Sequence, residues 1–314
     1  MKRVKFALIV LMSLILTHGC KEPDEIRTKD DNVSGNKMNT NVKEIPMPYA
    51  VAKYDCPVLN TGDFSGVYGG SSGSTLRKSK NGLVKPLEFV AYAGTTFEIT
   101  DSIKNRMSTI YKVRTEEYPI ILEGTDLFVD ARFVELRSSK PEPAKKTCPP
   151  RNYIYDYFEK SGSSFYVWGG NNISGVEKML EFYPPKKKLQ SREDSLTWKI
   201  EGVDCSGILY EATKAYTPRN THQLVEFGEP VEIKSLSSEE IISKIKPLDL
   251  IVWKGHIIIV YDDKTTIESS HSAGGVVRKS LNSVLKNIMK SRVPVNEWND
   301  SMPKSFVIRR WFKE

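Results

Sequence analysis

Cys205 stands in the run Gly202-Val203-Asp204-Cys205-Ser206-Gly207, and Ile208, Leu209, Ala212 and Ala215 follow it. Those four positions fall at i, i+1, i+4 and i+7, the spacing of one helix face. The cysteine is therefore expected at a helix N-terminus. There the macrodipole and the unpaired N–H groups favour a thiolate, the nucleophilic form of the side chain. Such a cysteine needs a base, and His256 is the candidate. Ile251-Val252-Trp253 and His256 to Tyr261 predict two strands, Asp262-Asp263-Lys264 a turn, and Thr265 to Ser269 the strand back. In that hairpin Glu268 is expected opposite His256 or one residue off. A carboxylate beside the imidazole fixes its tautomer and stabilises the imidazolium. The chemistry these three side chains point to is acyl transfer through a thiolate.

Other elements must hold that set in place. Asn152 to Lys160 predicts a short helix with Tyr153, Ile154, Tyr157 and Phe158 on one side, and Phe165-Tyr166-Val167-Trp168-Gly169-Gly170 follows it. The Pro- and Lys-rich segment 138–150 marks a domain boundary. Before it come short β-rich runs separated by turn residues: Leu87 to Tyr92, Thr96 to Ile99, Ile110 to Val113, Ile120 to Leu122 and Leu127 to Val129. Five such strands predict a small barrel. Residues 61–80, rich in Gly and Ser, predict loop. Residues 21–45 are polar and charged without hydrophobic period, and predict a disordered tether.

The motifs also occur in a telling order. Tyr166-x-Trp168-Gly169-Gly170, Asp204-Cys205-Ser206-Gly207, Pro218-Arg219-Asn220-Thr221, Lys246-Pro247-x-Asp249-Leu250 and Gly255-His256 before a hairpin resemble, across residues 151–285, the NlpC-type cell-wall cysteine peptidases. The resemblance implies a papain-like α+β domain that hydrolyses an amide bond in peptidoglycan stem peptides, of the D-Glu to diamino acid type. It implies Cys205 as nucleophile, His256 as general base and Glu268 in the third, orienting position. Tyr166 matches the family tyrosine whose hydroxyl holds the oxyanion or the substrate. Asp204 matches a motif residue that supports substrate binding or the local fold, and Ser206 stands beside it in the oxyanion and substrate-binding group. The sequence departs from the family in four places. The third residue is most often His, whereas Glu268 aligns here and His271 lies three positions on. Leu248 replaces a Gly before Asp249, Ile258 replaces a small residue, and Asn171–Glu201 is an insertion expected to border the cleft. The segment Leu127 to Val134 resembles the last strand and closing turn of bacterial SH3-like domains. That implies either a binder of wall peptides or a packing module that shapes the neighbouring cleft. The expected plan is a signal peptide (1–19), a lipoprotein tether (20–60), an SH3-like β-barrel (61–137), a linker (138–150) and a peptidase domain (151–314).

Composition narrows the rest. The chain has 314 residues, 39% apolar, which supports a buried core and excludes wholesale disorder. The net charge is +7, of which Lys2, Arg3 and Lys5 supply three. A remainder of +4 is mild, and no dense basic block with interleaved aromatics points to nucleic acid. Lys2, Arg3 and Lys5, the apolar run Phe6 to Leu16, and Thr17-His18-Gly19-Cys20 read as an export signal. Cys20 sits where bacterial lipoproteins carry the lipidated cysteine, although Thr17 and His18 depart from the usual lipobox. The expected location is the cell envelope, membrane-anchored through Cys20, or periplasmic or secreted without it. Of the other cysteines, Cys56 and Cys148 form a candidate disulfide closing a long loop. No CxxC or HExxH spacing suggests metal, and no cofactor is expected. A monomer acting on stem peptides is the leading reading. Another amidase or acyltransferase on the same scaffold and a non-catalytic wall-binding lipoprotein remain the alternatives.

Overall fold

Strands Leu250–Trp253 and His256–Val260 are apolar at nearly every position, so both faces of their sheet must be covered. The structure, a computed structural model, describes residues 47–105, 107–119 and 124–313, all within one compact unit, Ile45–Glu314. It divides those side chains by the two-residue strand period. Leu250, Val252, Ile257 and Ile259 join one core with Ile154 and Phe158 of helix Arg151–Lys160 and Ile208, Leu209 and Ala212 of helix Gly207–Ala212. Ile251, Ile258 and Val260 join another, with Ile241 of helix Ser238–Lys244 and Val284, Leu285 and Ile288 of helix Leu281–Met289. Ile258, read in the sequence as a departure, fills this second layer and is nearly fully buried. A capping box between Ser237 and Glu240 starts the first of these outer helices. In the sheet, Glu229–Pro230, Ser305–Arg310, Leu250–Trp253, His256–Val260, Thr265–Ser270 and Gly275–Ser280 lie side by side in that order, all antiparallel, and a seventh strand, Val293–Pro294, joins Ser305–Arg310 in parallel.

The N-terminal module is also a seven-stranded sheet, ordered Leu87–Ala91, Cys56–Leu59, Leu127–Asp130, Thr109–Arg114, Thr96–Lys104, Tyr49–Ala52 and Val134–Arg137. It corrects the expected barrel in two ways. Two of its strands, Tyr49–Ala52 and Cys56–Leu59, come from residues assigned to the tether. The sheet is also not closed, because its outer strands, Leu87–Ala91 and Val134–Arg137, do not pair with each other. The free edge of Leu87–Ala91 is met by a side chain instead. Asn171 Oδ1 accepts from Val90 N at 2.9 Å, and Asn171 Nδ2 donates to Val90 O at 3.0 Å, the two bonds a neighbouring peptide would make. Segment 61–80 is more ordered than expected. It holds helix Phe64–Val67, capped by Asp63, and a hairpin of Tyr68–Gly69 with Thr75–Leu76. The expected strand Ile120 to Leu122, the export signal, Cys20 and the tether 21–45 lie outside the described residues.

The Cys56–Cys148 disulfide is overturned, since both thiols are free. Cys56 begins a strand and is wholly buried in the N-terminal core, whereas Cys148 sits exposed in the linker. The partners are thus in different environments, one inside and one outside. Burial first, and then the charges of Asp55 and Asp130, push the Cys56 thiol far above its ordinary range, so it behaves as a small core residue.

The insertion also differs from expectation. Val176, Met179, Tyr183, Trp198 and Ile200 all enter the N-terminal core. Trp198 Nε1 donates to Tyr183 O at 2.8 Å, the Tyr183 hydroxyl donates to buried Asp130, and Phe182 stacks edge-on against Phe133 at 4.9 Å. Within the insertion, the run Pro184-Pro185-Lys186-Lys187-Lys188 is pinned as well. Lys186 N donates to Gly73 O at 2.9 Å and Lys187 N to Ser74 Oγ at 2.6 Å. The insertion thus ties the N-terminal sheet to helix Gly207–Ala212, where Glu211 accepts from Ile173 N at 2.9 Å. Among the described residues no helix is long and apolar enough to cross a membrane.

Candidate active site

The loop that carries Cys205 is shaped by Asp204. Its Oδ1 accepts from Ser206 N at 3.1 Å and Gly207 N at 2.7 Å, and its Oδ2 from Gly169 N at 3.1 Å. These bonds satisfy donors ahead of helix Gly207–Ala212 and draw the Trp168-Gly169-Gly170 turn against it. Gly207 has to be glycine, because a Cβ there would overlap the carbonyl oxygen of Gly170. Cys205 therefore precedes the helix, as its motif implies, and is only 9% exposed. Ala215, expected on the same helix face, falls beyond the helix end with φ +62°.

Arg219 anchors that loop from behind. It is 2% exposed and forks onto Asp204 through Nη1 (3.1 Å) and Nη2 (2.7 Å). It also donates to Ser206 Oγ at 2.8 Å, Asn171 Oδ1 at 3.0 Å and Gly170 O at 3.2 Å. Burial opposes its charge, but Asp204 outweighs burial and raises its pKa. The side chains of Asp204 and Ser206 are thus engaged in a buried network that fixes the Cys205 loop. Pro218 to Thr221 was visible as a motif, but the sequence did not show what its arginine touches. Thr221 Oγ1 in turn accepts from Gly255 N at 2.8 Å and fixes the turn before His256.

His256 opens its strand and pairs across the turn with Trp253. The ladder matches Ile259 with Ile267 and Val260 with Thr266, which places Ile258 across from Glu268. The expected offset of at most one residue is therefore corrected to two. Two residues is a full strand period, so His256 and Glu268 share a face as diagonal neighbours. Glu268 Oε2 lies 2.6 Å from His256 Nε2, and Lys279 Nζ donates to Glu268 Oε1 at 2.7 Å. Glu268 is 4% exposed. Burial raises its pKa, but the hydrogen bonds and charges of His256 and Lys279 prevail and hold it below the ordinary carboxylate value. Burial likewise lowers the His256 pKa. Hydrogen bonds to Cys205 and Glu268, with their charges, override it and bring the imidazole to about 9. With Nε2 on Glu268, Nδ1 is the nitrogen left for the thiol. His271 is exposed and stands away from this contact, its ring centroid 5.5 Å from that of Tyr166.

Tyr166 is placed by backbone. Its N donates to Gly274 O at 3.0 Å, and it bridges Val203, two residues before the cysteine. Ser269 Oγ donates to Val203 O at 2.7 Å, so the strand bearing Glu268 is stitched to the strand leading into Cys205. Burial, then the charges of Asp204 and Cys205, push the Tyr166 hydroxyl well above its ordinary range. It stays a neutral donor at any physiological pH, as an oxyanion requires. Trp168 is half-buried, and Lys85 Nζ lies 2.9 Å over its ring.

No protein-family model and no curated protein matches the chain. Solved structures it resembles include the peptidoglycan hydrolase RipB of Mycobacterium tuberculosis, at 18% identity over 53% of this chain and 70% of that one, with a TM-score of 0.32. An NlpC/P60 family protein from Bacillus cereus is 12% identical over 85% of this chain and 64% of that one, with a TM-score of 0.32. NlpC1 from Trichomonas vaginalis is 10% identical over 90% of this chain and 99% of that one, with a TM-score of 0.36. At these values the functional reading falls to the side chains themselves.

Proposed function

We propose that this chain is a cysteine hydrolase that cleaves an amide bond in peptidoglycan stem peptides. One observation carries the reading: a histidine held at Nε2 by a buried carboxylate and drawn toward its charged form by the cysteine that precedes helix Gly207–Ala212. His256 takes the Cys205 proton and becomes the imidazolium that Glu268 stabilises. The thiolate attacks the carbonyl carbon, and the Tyr166 hydroxyl and backbone N–H groups meet the oxyanion. His256 then protonates the leaving amine. Water, activated by the same histidine, hydrolyses the acyl-enzyme and restores the thiol.

The ordered motifs support the wall as substrate, with the bond of the D-Glu to diamino acid type. The residues ahead of Cys20 support export, with Cys20 as the lipid anchor. Mass spectrometry of purified muropeptides incubated with the chain, beside Cys205→Ala, tests the proposal. New stem-peptide fragments that require the cysteine support it and locate the bond by mass. No fragments from any muropeptide, with Cys205 still alkylated at neutral pH, would overturn the wall substrate in favour of acyl transfer elsewhere. An inert Cys205 would favour a binding protein.

A further inference from the structure

The two oxygens of Glu268 are taken by two different side chains, His256 on Oε2 and Lys279 on Oε1. Register explains the second contact. Strand Gly275–Ser280 pairs Val277 with Glu268 and Lys279 with Thr266, so Lys279 lies diagonal to Glu268 on the same face. An edge-strand lysine ordinarily points into solvent. This one reaches a carboxylate that is 4% exposed. A buried carboxylate with one histidine partner would carry its full charge against the imidazolium. We propose that Lys279 is a positioning residue of this site, which counterbalances Glu268 so that the carboxylate orients His256 without over-stabilising its protonated form. The proposal rests on the hydrolase reading only for its purpose: an imidazolium held too tightly is a poor acid toward the leaving amine.

The groups facing one another here are few. Cys205 and Glu268 act on His256, and His256 and Lys279 act on Glu268. The Lys279 side chain is 43% exposed, so water screens it and the effect is moderate. Ring resonances of His256 give a direct readout, since the whole chain holds four histidines. They are titrated by NMR in the full chain carrying Cys205→Ala, alone and with Lys279→Met or Lys279→Arg. Lys279→Met is expected to raise the His256 midpoint by about half to one pH unit, roughly three- to tenfold tighter proton binding. Lys279→Arg is expected to leave it in place. If Lys279 only propped up the strand, the methionine would free Glu268 and lower the midpoint, and that result would overturn the proposal. Equal midpoints would overturn it too. Lys279→Gln repeats the test should the methionine variant misfold. No substrate enters this titration, so a shifted midpoint with uncut muropeptides would sink the hydrolase reading alone. Cut muropeptides with an unmoved midpoint would sink this proposal alone.

Discussion

Glu268 and His256 are joined at 2.6 Å across two strands, and the carboxylate is the more buried partner. The negative charge is therefore fixed and the imidazole adapts to it. Glu268→Gln keeps the hydrogen bond and removes the charge. It should lower turnover about 10- to 100-fold and move the basic limb of the pH–rate profile down, because the imidazolium loses its stabilising anion. His271→Ala should change turnover by less than about threefold, since that ring contacts Tyr166 and not His256. Steady-state rates across pH on one muropeptide check both.

Arg219 and Asp204 make another buried pair, behind the loop that carries Cys205. Arg219→Met should destabilise the fold by about 3–5 kcal/mol, because it leaves a carboxylate buried without its cation. Adding Asp204→Asn should recover part of that loss, the signature of direct coupling. Denaturant unfolding of the two single variants and the double variant measures it.

Glu211 gives stability a pH dependence. It accepts from the Tyr157 hydroxyl at 2.7 Å and from Ile173 N at 2.9 Å. Burial pushes its pKa up from 4.5 to about 7, against those two hydrogen bonds and helped by Asp55. The folded chain thus holds a proton that the unfolded chain gives up near 4.5. The associated stability is complete below that pH and is lost as pH rises through about 7, on the order of 3 kcal/mol in all. Glu211→Gln should remove this slope. Thermal melts at half-unit steps from pH 4.5 to 7.5 would show it.

Leu248 has φ +73°, the left-handed conformation that glycine favours, and is fully buried. The structure accepts that strain to gain a packed side chain. Leu248→Gly would relieve about 1 kcal/mol of backbone strain and lose about 3 kcal/mol of packing. A net loss of about 2 kcal/mol is expected, measured by denaturant unfolding.

Cys205, His256 and Glu268 were legible in the sequence as a candidate set because each lies in a short motif or a hairpin. Their partners were not. Arg219 and Lys279 act through contacts whose meaning depends on register or on a loop folded from distant segments. Nothing local distinguishes Lys279 from a solvated edge lysine. Three strands of the sheet carrying Glu268 were legible from a turn and β-branched runs, whereas Gly275–Ser280 and Ser305–Arg310 were not read. The N-terminal sheet was misread one strand in from each edge, because Tyr49–Ala52 and Cys56–Leu59 are four residues long and the second contains Pro57. An open edge closed by one asparagine leaves no periodic signal at all.

Trp198, Met179 and Tyr183 lie in the sequence after the linker but in the core before it. The segment 138–150 looks like a place to cut, yet the fold is interleaved there, not modular. A chain starting at residue 151 would open that apolar surface to water and leave Asn171 without Val90, next to the arginine that sets the cysteine loop. Shuffling this C-terminal half onto another N-terminal module would therefore require the insertion to be redesigned with it. Chain exchange of that kind, common where domains meet only at a linker, is closed to this architecture.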